Sequence, residues 1–246
     1  MTTKLGPFYL LIAILAVVAT PAVTHAGATT EVSYCGQSYR GHGVLIGNLD
    51  CTGFGGPGVI IERGRLELNG FTISNAGQFG VHCLTTCQIL GPGTISDNGL
   101  DGVRTEGWVA VRDARILNNA LDGINARNYS TASRVTVSDS LISGNGFNGI
   151  ESDSSVIVRR STVAANAENG IDVGVYECDT TGRLILFRST VSGNGSMCSA
   201  SEVCADLSAC GRNQREPQLK STSACQTSYV RQSGAPGQTW GVCSQD

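Results

Sequence analysis

Apolar residues through the middle of the chain fall at alternate positions in short runs, and the runs recur between turns rich in glycine and asparagine. A Gly-Ile or Gly-Val step opens each unit: Gly80-Val81, Gly102-Val103, Gly123-Ile124, Gly149-Ile150 and Gly170-Ile171, spaced by 22, 21, 26 and 21 residues. A second alternating stretch follows, such as Val109-Ala-Val111, Val135-Thr-Val137, Val156-Ile-Val158 or Leu184-Ile-Leu186. A third ends at Ile95, Ile116, Ile142, Val163 or Val191, three positions before an asparagine. Period-two alternation predicts strands, so each unit predicts three. About 21 residues are too few to bury a core of their own, and the units must therefore stack. A rise of one strand spacing per unit, about 4.8 Å, places Ile116 over Ile95 and Ile150 over Ile124 in continuous inward ladders.

The turn after the third strand is written four times: Asn98-Gly-Leu-Asp-Gly-Val, Asn119-Ala-Leu-Asp-Gly-Ile, Asn145-Gly-Phe-Asn-Gly-Ile and Asn166-Ala-Glu-Asn-Gly-Ile. With Asn194 these asparagines form a row. Asparagine suits the left-handed conformation of a tight turn and can hydrogen-bond to backbone or to the asparagine one coil away, so the row predicts a structural ladder. The pattern resembles the right-handed parallel β-helix of the pectin-lyase-like superfamily. Leu66-Glu-Leu-Asn-Gly-Phe-Thr-Ile73 is similar to that group's entry coil, and the resemblance runs from about Val44 to Asn194. It implies an all-β solenoid of about five to six coils. It leaves the activity open, because lyases, hydrolases, epimerases, binding modules and structural proteins share the fold.

Outside the repeats the composition changes. Phe8 to Val18 is an apolar run behind the lone charge of Lys4, followed by the small residues of Thr24-His25-Ala26-Gly27-Ala28, which predicts a secretory signal over residues 1–26. The run is too short to span a bilayer. The expected destination is secreted or periplasmic, with no membrane span left after cleavage. All ten cysteines lie beyond the signal, an even number that predicts disulfides in an oxidising compartment. Nearest-neighbour pairing gives Cys35 with Cys51, Cys83 with Cys87, Cys178 with Cys198, Cys204 with Cys210 and Cys225 with Cys243, one of many connectivities the sequence allows. Their spacing does not suit zinc, and no metal site is assigned. Residues 30–198 read as the β-helix with an N-terminal cap, and 199–246 as a cysteine-rich C-terminal cap that covers the last coil's open edge. Without Lys4 the chain carries 16 basic residues against 20 acidic ones, which gives no electrostatic case for nucleic acid.

The candidate chemistry lies one residue past the inward start of each first strand. His82, Arg104, Asn125, Glu151 and Asp172 fall there, and side chains alternate across a strand, so the five share one outward face. Glu151 or Asp172 is the candidate acid or base, with His82 the other proton carrier and Arg104 an anion clamp. No cofactor is assignable; the paired carboxylates admit a divalent cation such as calcium. The competing reading is an ordinary solvated face. Both long coils insert residues immediately after this strand, at Arg127 to Ala132 and Gly174 to Thr181, as a binding edge does. Asn125, Tyr129 and Tyr176 are then substrate-binding candidates, the tyrosines offering aromatic surface to a sugar or simply packing their loops. Asp101 and Asp122 occupy equivalent turns on adjacent coils and continue as Asn148 and Asn169, which favours turn-forming residues over a hydrolytic pair. Gly41-His42-Gly43 is similar to a triplet of polygalacturonases, but it precedes the repeats and lacks that family's paired aspartates. The expected partner is a polysaccharide or cell-surface glycan, bound and possibly cleaved. The alternative is a surface or matrix protein, structural or adhesive.

Overall fold

The computed structural model describes residues 29–127, 133–174 and 183–194, together with the strands Val203–Asp206, Gln218–Lys220, Ala224–Cys225, Ser228–Gln232 and Ala235–Trp240. Within them the chain is an all-β, right-handed parallel solenoid of about six turns. Each full coil contributes three strands, as in Val103–Thr105, Trp108–Arg112 and Arg115–Leu117.

Three inward columns hold it together. Val59, Val81, Val103, Ile124, Ile150 and Ile171 stack along the first strands. Leu66, Ile89, Val111, Val137, Val158 and Leu186 stack along the second. Leu49, Ile73, Ile95, Ile116, Ile142, Val163 and Val191 stack along the third. All are buried in one cluster. Because β-branched and leucine side chains of similar volume sit above one another, each coil buries the apolar face that the next leaves open.

Both ends carry the ladder further. Thr29–Val32 pairs in parallel with Gln37–Leu45, which in turn pairs in parallel with Val59–Glu67, so the N-terminal segment continues the coil. Val203–Asp206, Gln218–Lys220 and Ala224–Cys225 add parallel strands at the other end, where an antiparallel ribbon of Ser228–Gln232 and Ala235–Trp240 follows. Cys35 bonds Cys51 and Cys83 bonds Cys87. Disulfides of this kind form in oxidising, extracytoplasmic compartments. The partners expected for Cys178, Cys204 and Cys225, namely Cys198, Cys210 and Cys243, lie outside the described residues, as do Cys178 itself and the signal segment.

The corner before the asparagine row divides its work between two residues. The left-handed conformation falls one position ahead of each asparagine, at Asp97, Asn118, Gly144, Ala165 and Gly193, with φ between 53 and 72°. The asparagines themselves are free to turn inward and bond the next coil, from Asn98 through Asn119, Asn145 and Asn166 to Asn194. Ala165 has φ 54° where both neighbouring coils use glycine, and an L-residue held there is strained by about 1 kcal/mol. Ala165→Gly should therefore raise the unfolding free energy by about 0.5 kcal/mol, the relief being partly offset by glycine's greater entropy loss, as read from a urea denaturation midpoint.

Candidate functional site

Pairing between first strands sets the expected row in register. His82 lies beside Arg104, Arg104 beside Asn125, Asn125 beside Glu151, and Glu151 beside Asp172. One further coil puts Cys204 next to Asp172. The row is continuous over five coils, at about 4.8 Å per step.

Its side chains bond mainly to one another. The Arg104 guanidinium donates to Asn125 Oδ1 at 2.6 Å and to the Arg127 carbonyl at 3.1 Å. Asn125 Nδ2 donates to Asp122 Oδ2 at 2.8 Å and to Glu151 Oε2 at 3.2 Å. Arg127 then closes the network, with Nη1 2.6 Å from Glu151 Oε1 and Nε 3.4 Å from Asp153 Oδ1. Asn125 and Glu151 are buried by these contacts, whereas His82, Arg104 and Asp172 keep part of their surface in solvent.

Sequence reasoning set Asp101 and Asp122 aside as turn formers, and both do hold turns: Asp101 Oδ1 accepts from the Asp122 N–H, and Asp122 Oδ1 from the Asn148 N–H. Both also belong to the network. Asp101 Oδ2 is 4.0 Å from Arg104, while Asp122 hydrogen-bonds Glu151 as well as Asn125. Burial drives the Asp122 pKa up to about 9, helped by the hydrogen bond to Glu151 and the charges of Glu151 and Asp101. Burial likewise raises Asp101 to about 6, opposed by its hydrogen bond from Asp122 and by Arg104. Glu168 is raised too, by burial and then by Glu151. At neutral pH burial thus favours keeping a proton on the Asp122–Glu151 pair, whose Glu151 side is held by Arg127.

His82 stands at the other end of the row. Burial lowers its pKa, with Glu106, at 3.8 Å from Nε2, pulling the other way and Arg104 adding to the depression; Phe79 packs 5.1 Å from its ring.

Chemically, the Asp122–Glu151 pair is a proton store with little access to a substrate: their relative exposures are 4% and 8%. A general acid has to come within about 2.6–3.2 Å of the atom it protonates. Among the described residues no three His, Cys, Asp or Glu side chains gather in a way that would hold a metal ion. Tyr129 and Tyr176 lie outside the described residues. Arg127 and Asp153 were missed. Arg127 opens one of the insertions, and Asp153 lies two residues past Glu151 in the bend that follows its strand, which were the available signals.

Stacked three-strand coils, a buried asparagine ladder and a polar outward row define a right-handed parallel β-helix protein. The chain belongs to the family described as right-handed β-helix region, whose family model matches residues 57–209. No curated protein and no solved structure matches it. Among the described residues no helix is long and apolar enough to cross a membrane.

Proposed function

We propose that this is a secreted protein that binds a polysaccharide along the outward first-strand face, from His82 through Arg104 to Asp172. One observation carries the reading: five polar side chains stand in unbroken register on consecutive coils, a spacing that matches a repeating ligand better than a single small molecule. Burial of the Asp122–Glu151 pair supports holding over cleaving. The partly exposed members, His82, Arg104 and Asp172, supply a donor ring, a guanidinium and a carboxylate for sugar hydroxyls and acid groups.

The test is retention of the mature protein on immobilised acidic and neutral polysaccharides, with unsaturated products and new reducing ends followed in parallel. Retention without turnover is expected. Arg104→Ala should weaken it about tenfold, the scale of one charge-assisted hydrogen bond, with circular dichroism confirming the fold. Turnover that disappears in Glu151→Gln would move the protein to the lyases or hydrolases. No retention on any polymer sinks the carbohydrate reading and leaves the adhesive or structural alternative.

A further inference from the structure

The N-terminal coils differ from the rest at one corner. Strands Gln37–Leu45 and Val59–Glu67 run unbroken through the place where later coils pass from first to second strand, the latter pairing with both Val81–Cys83 and Cys87–Leu90. Gly41 and Gly64 stand opposite each other at the bend, with φ of 98 and 142°. A Cβ on Gly64 would run into the Gly41 carbonyl, so the tight bend requires glycine there. Outside the bend opens a groove of about 1160 Å³ whose lining includes Arg40, His42, Arg63, Arg65, Gln88 and Trp108.

The charges in this groove are not evenly compensated. Arg40 lies 3.3 Å from Glu62, and Arg65 lies 3.5 Å from Glu67 and donates to His42 Nδ1 at 3.1 Å. His42 Nε2 is 2.8 Å from Glu67 but out of hydrogen-bond alignment, so this buried nitrogen has no hydrogen-bond partner. Arg63 is directly opposite Arg40 on the neighbouring strand and is exposed, with no carboxylate partner among the described residues. Like charges in facing positions destabilise a sheet, so the pairing has a cost that an anionic ligand would reverse. Trp108 is 45% exposed in the same groove, an indole face open to solvent.

We infer that this groove is a second binding site, separate from the first-strand row, for a saccharide bearing a tetrahedral oxyanion, a sulfate ester or a phosphate monoester. The anion sits on Arg63 and its neighbours Arg40 and Arg65, and the sugar ring lies against the Trp108 indole. Each guanidinium has five N–H donors in a planar fork. One fork satisfies a planar carboxylate, whereas three arginines on two adjacent strands match the three acceptors of a tetrahedral group. The indole supplies apolar surface for the ring face.

Tryptophan fluorescence of the mature protein tests this, with Trp108→Phe separating the groove signal from Trp240. The probes are a heparin tetrasaccharide, glucose 6-phosphate, a galacturonate tetramer, a neutral cellotetraose and a short single-stranded oligodeoxynucleotide. The heparin fragment or the sugar phosphate should change Trp108 emission, whichever does so at lower concentration identifying the ester. Arg63→Ala should weaken that binding about tenfold or more and Arg63→Lys less, and affinity should fall with salt. Arg63 makes no ion pair among the described residues, so its loss should not unfold the protein. Arg104→Ala should leave the titration unchanged, which keeps this site independent of the row. Equal binding of the galacturonate or neutral tetramer, tighter binding of the oligonucleotide, or an unaffected Arg63→Ala variant would each overturn the assignment.

Discussion

Asn145→Ala is expected to lower the unfolding free energy by about 3–5 kcal/mol, each buried polar group left unpaired costing about 1–3 kcal/mol. The side chain serves two coils at once. Its Oδ1 accepts from the Asn119 backbone N–H and from Asn119 Nδ2, both at 3.0 Å, and its Nδ2 donates to Asn166 Oδ1 at 2.8 Å. Asn119, Asn145 and Asn166 are only 1 to 2% exposed, so water cannot take the place of the missing amide. The same change at Asn194 should cost less, because that residue is the last of the ladder among the described residues and is half-buried. Urea denaturation of the two variants checks both statements; equal losses would mean that the ladder's stability is spread evenly rather than concentrated where the amides are dry.

Stability should also fall as pH rises from about 4 to 9. The sign follows from the two raised carboxyls. Asp101, raised to about 6, and Asp122, raised to about 9, keep their protons in the folded state after the unfolded chain has lost them near its ordinary value of 3.8. Their contribution is fully present below that value and is lost as pH rises through the folded values. Each group in this range contributes a slope of up to about 1.4 kcal/mol per pH unit. Asp101 and Asp122 act between about pH 4 and 6, with Glu168 adding in the same sense. His82, whose folded value is lowered, opposes them up to its ordinary value of 6.5, and chiefly Asp122 acts above that. Asp122→Asn should flatten the upper part of the profile and raise the midpoint at pH 8 relative to the parent, although the new amide cannot reproduce every bond. Denaturation midpoints at intervals from pH 4 to 9 measure it, and an unchanged slope in the variant would show that another group carries the dependence.

The fold was legible because every inward position repeats: Ile95, Ile116 and Ile142 announce one column, and Val81, Val103 and Ile124 another. The outward row was legible for the same reason, since once the inward residue is fixed its successor must face out. Contacts between the row and the turns were not legible. Asp122 is three residues ahead of Asn125 in sequence and looks like Asn148 and Asn169 in the corresponding turns, yet the corner folds its carboxyl back onto the row. Alternation describes strands, and it carries no information on where a turn side chain reaches. The asparagines were read as both turn residue and ladder, but the left-handed position belongs to the residue before each of them. The N-terminal groove was missed because it depends on two glycines that make adjacent strands bend together, a feature outside the repeat. His42 gained a setting there that its Gly-His-Gly triplet did not reveal.

The asparagine ladder has an orientation. Four amides donate in the same sense, Asn98 to Asn119, Asn119 to Asn145, Asn145 to Asn166 and Asn166 to Asn194, while Asn98 Oδ1 accepts from the Ala76 N–H behind it and Asn194 turns its Nδ2 back to the Val163 and Ser192 carbonyls. Four side-chain dipoles therefore lie head to tail along the solenoid axis, and in a dry interior such a chain polarises itself, each link strengthening the next. Running the coils in the opposite order would reverse the field, so the two ends of this rod are electrically distinct and any assembly along the axis has a preferred head and tail.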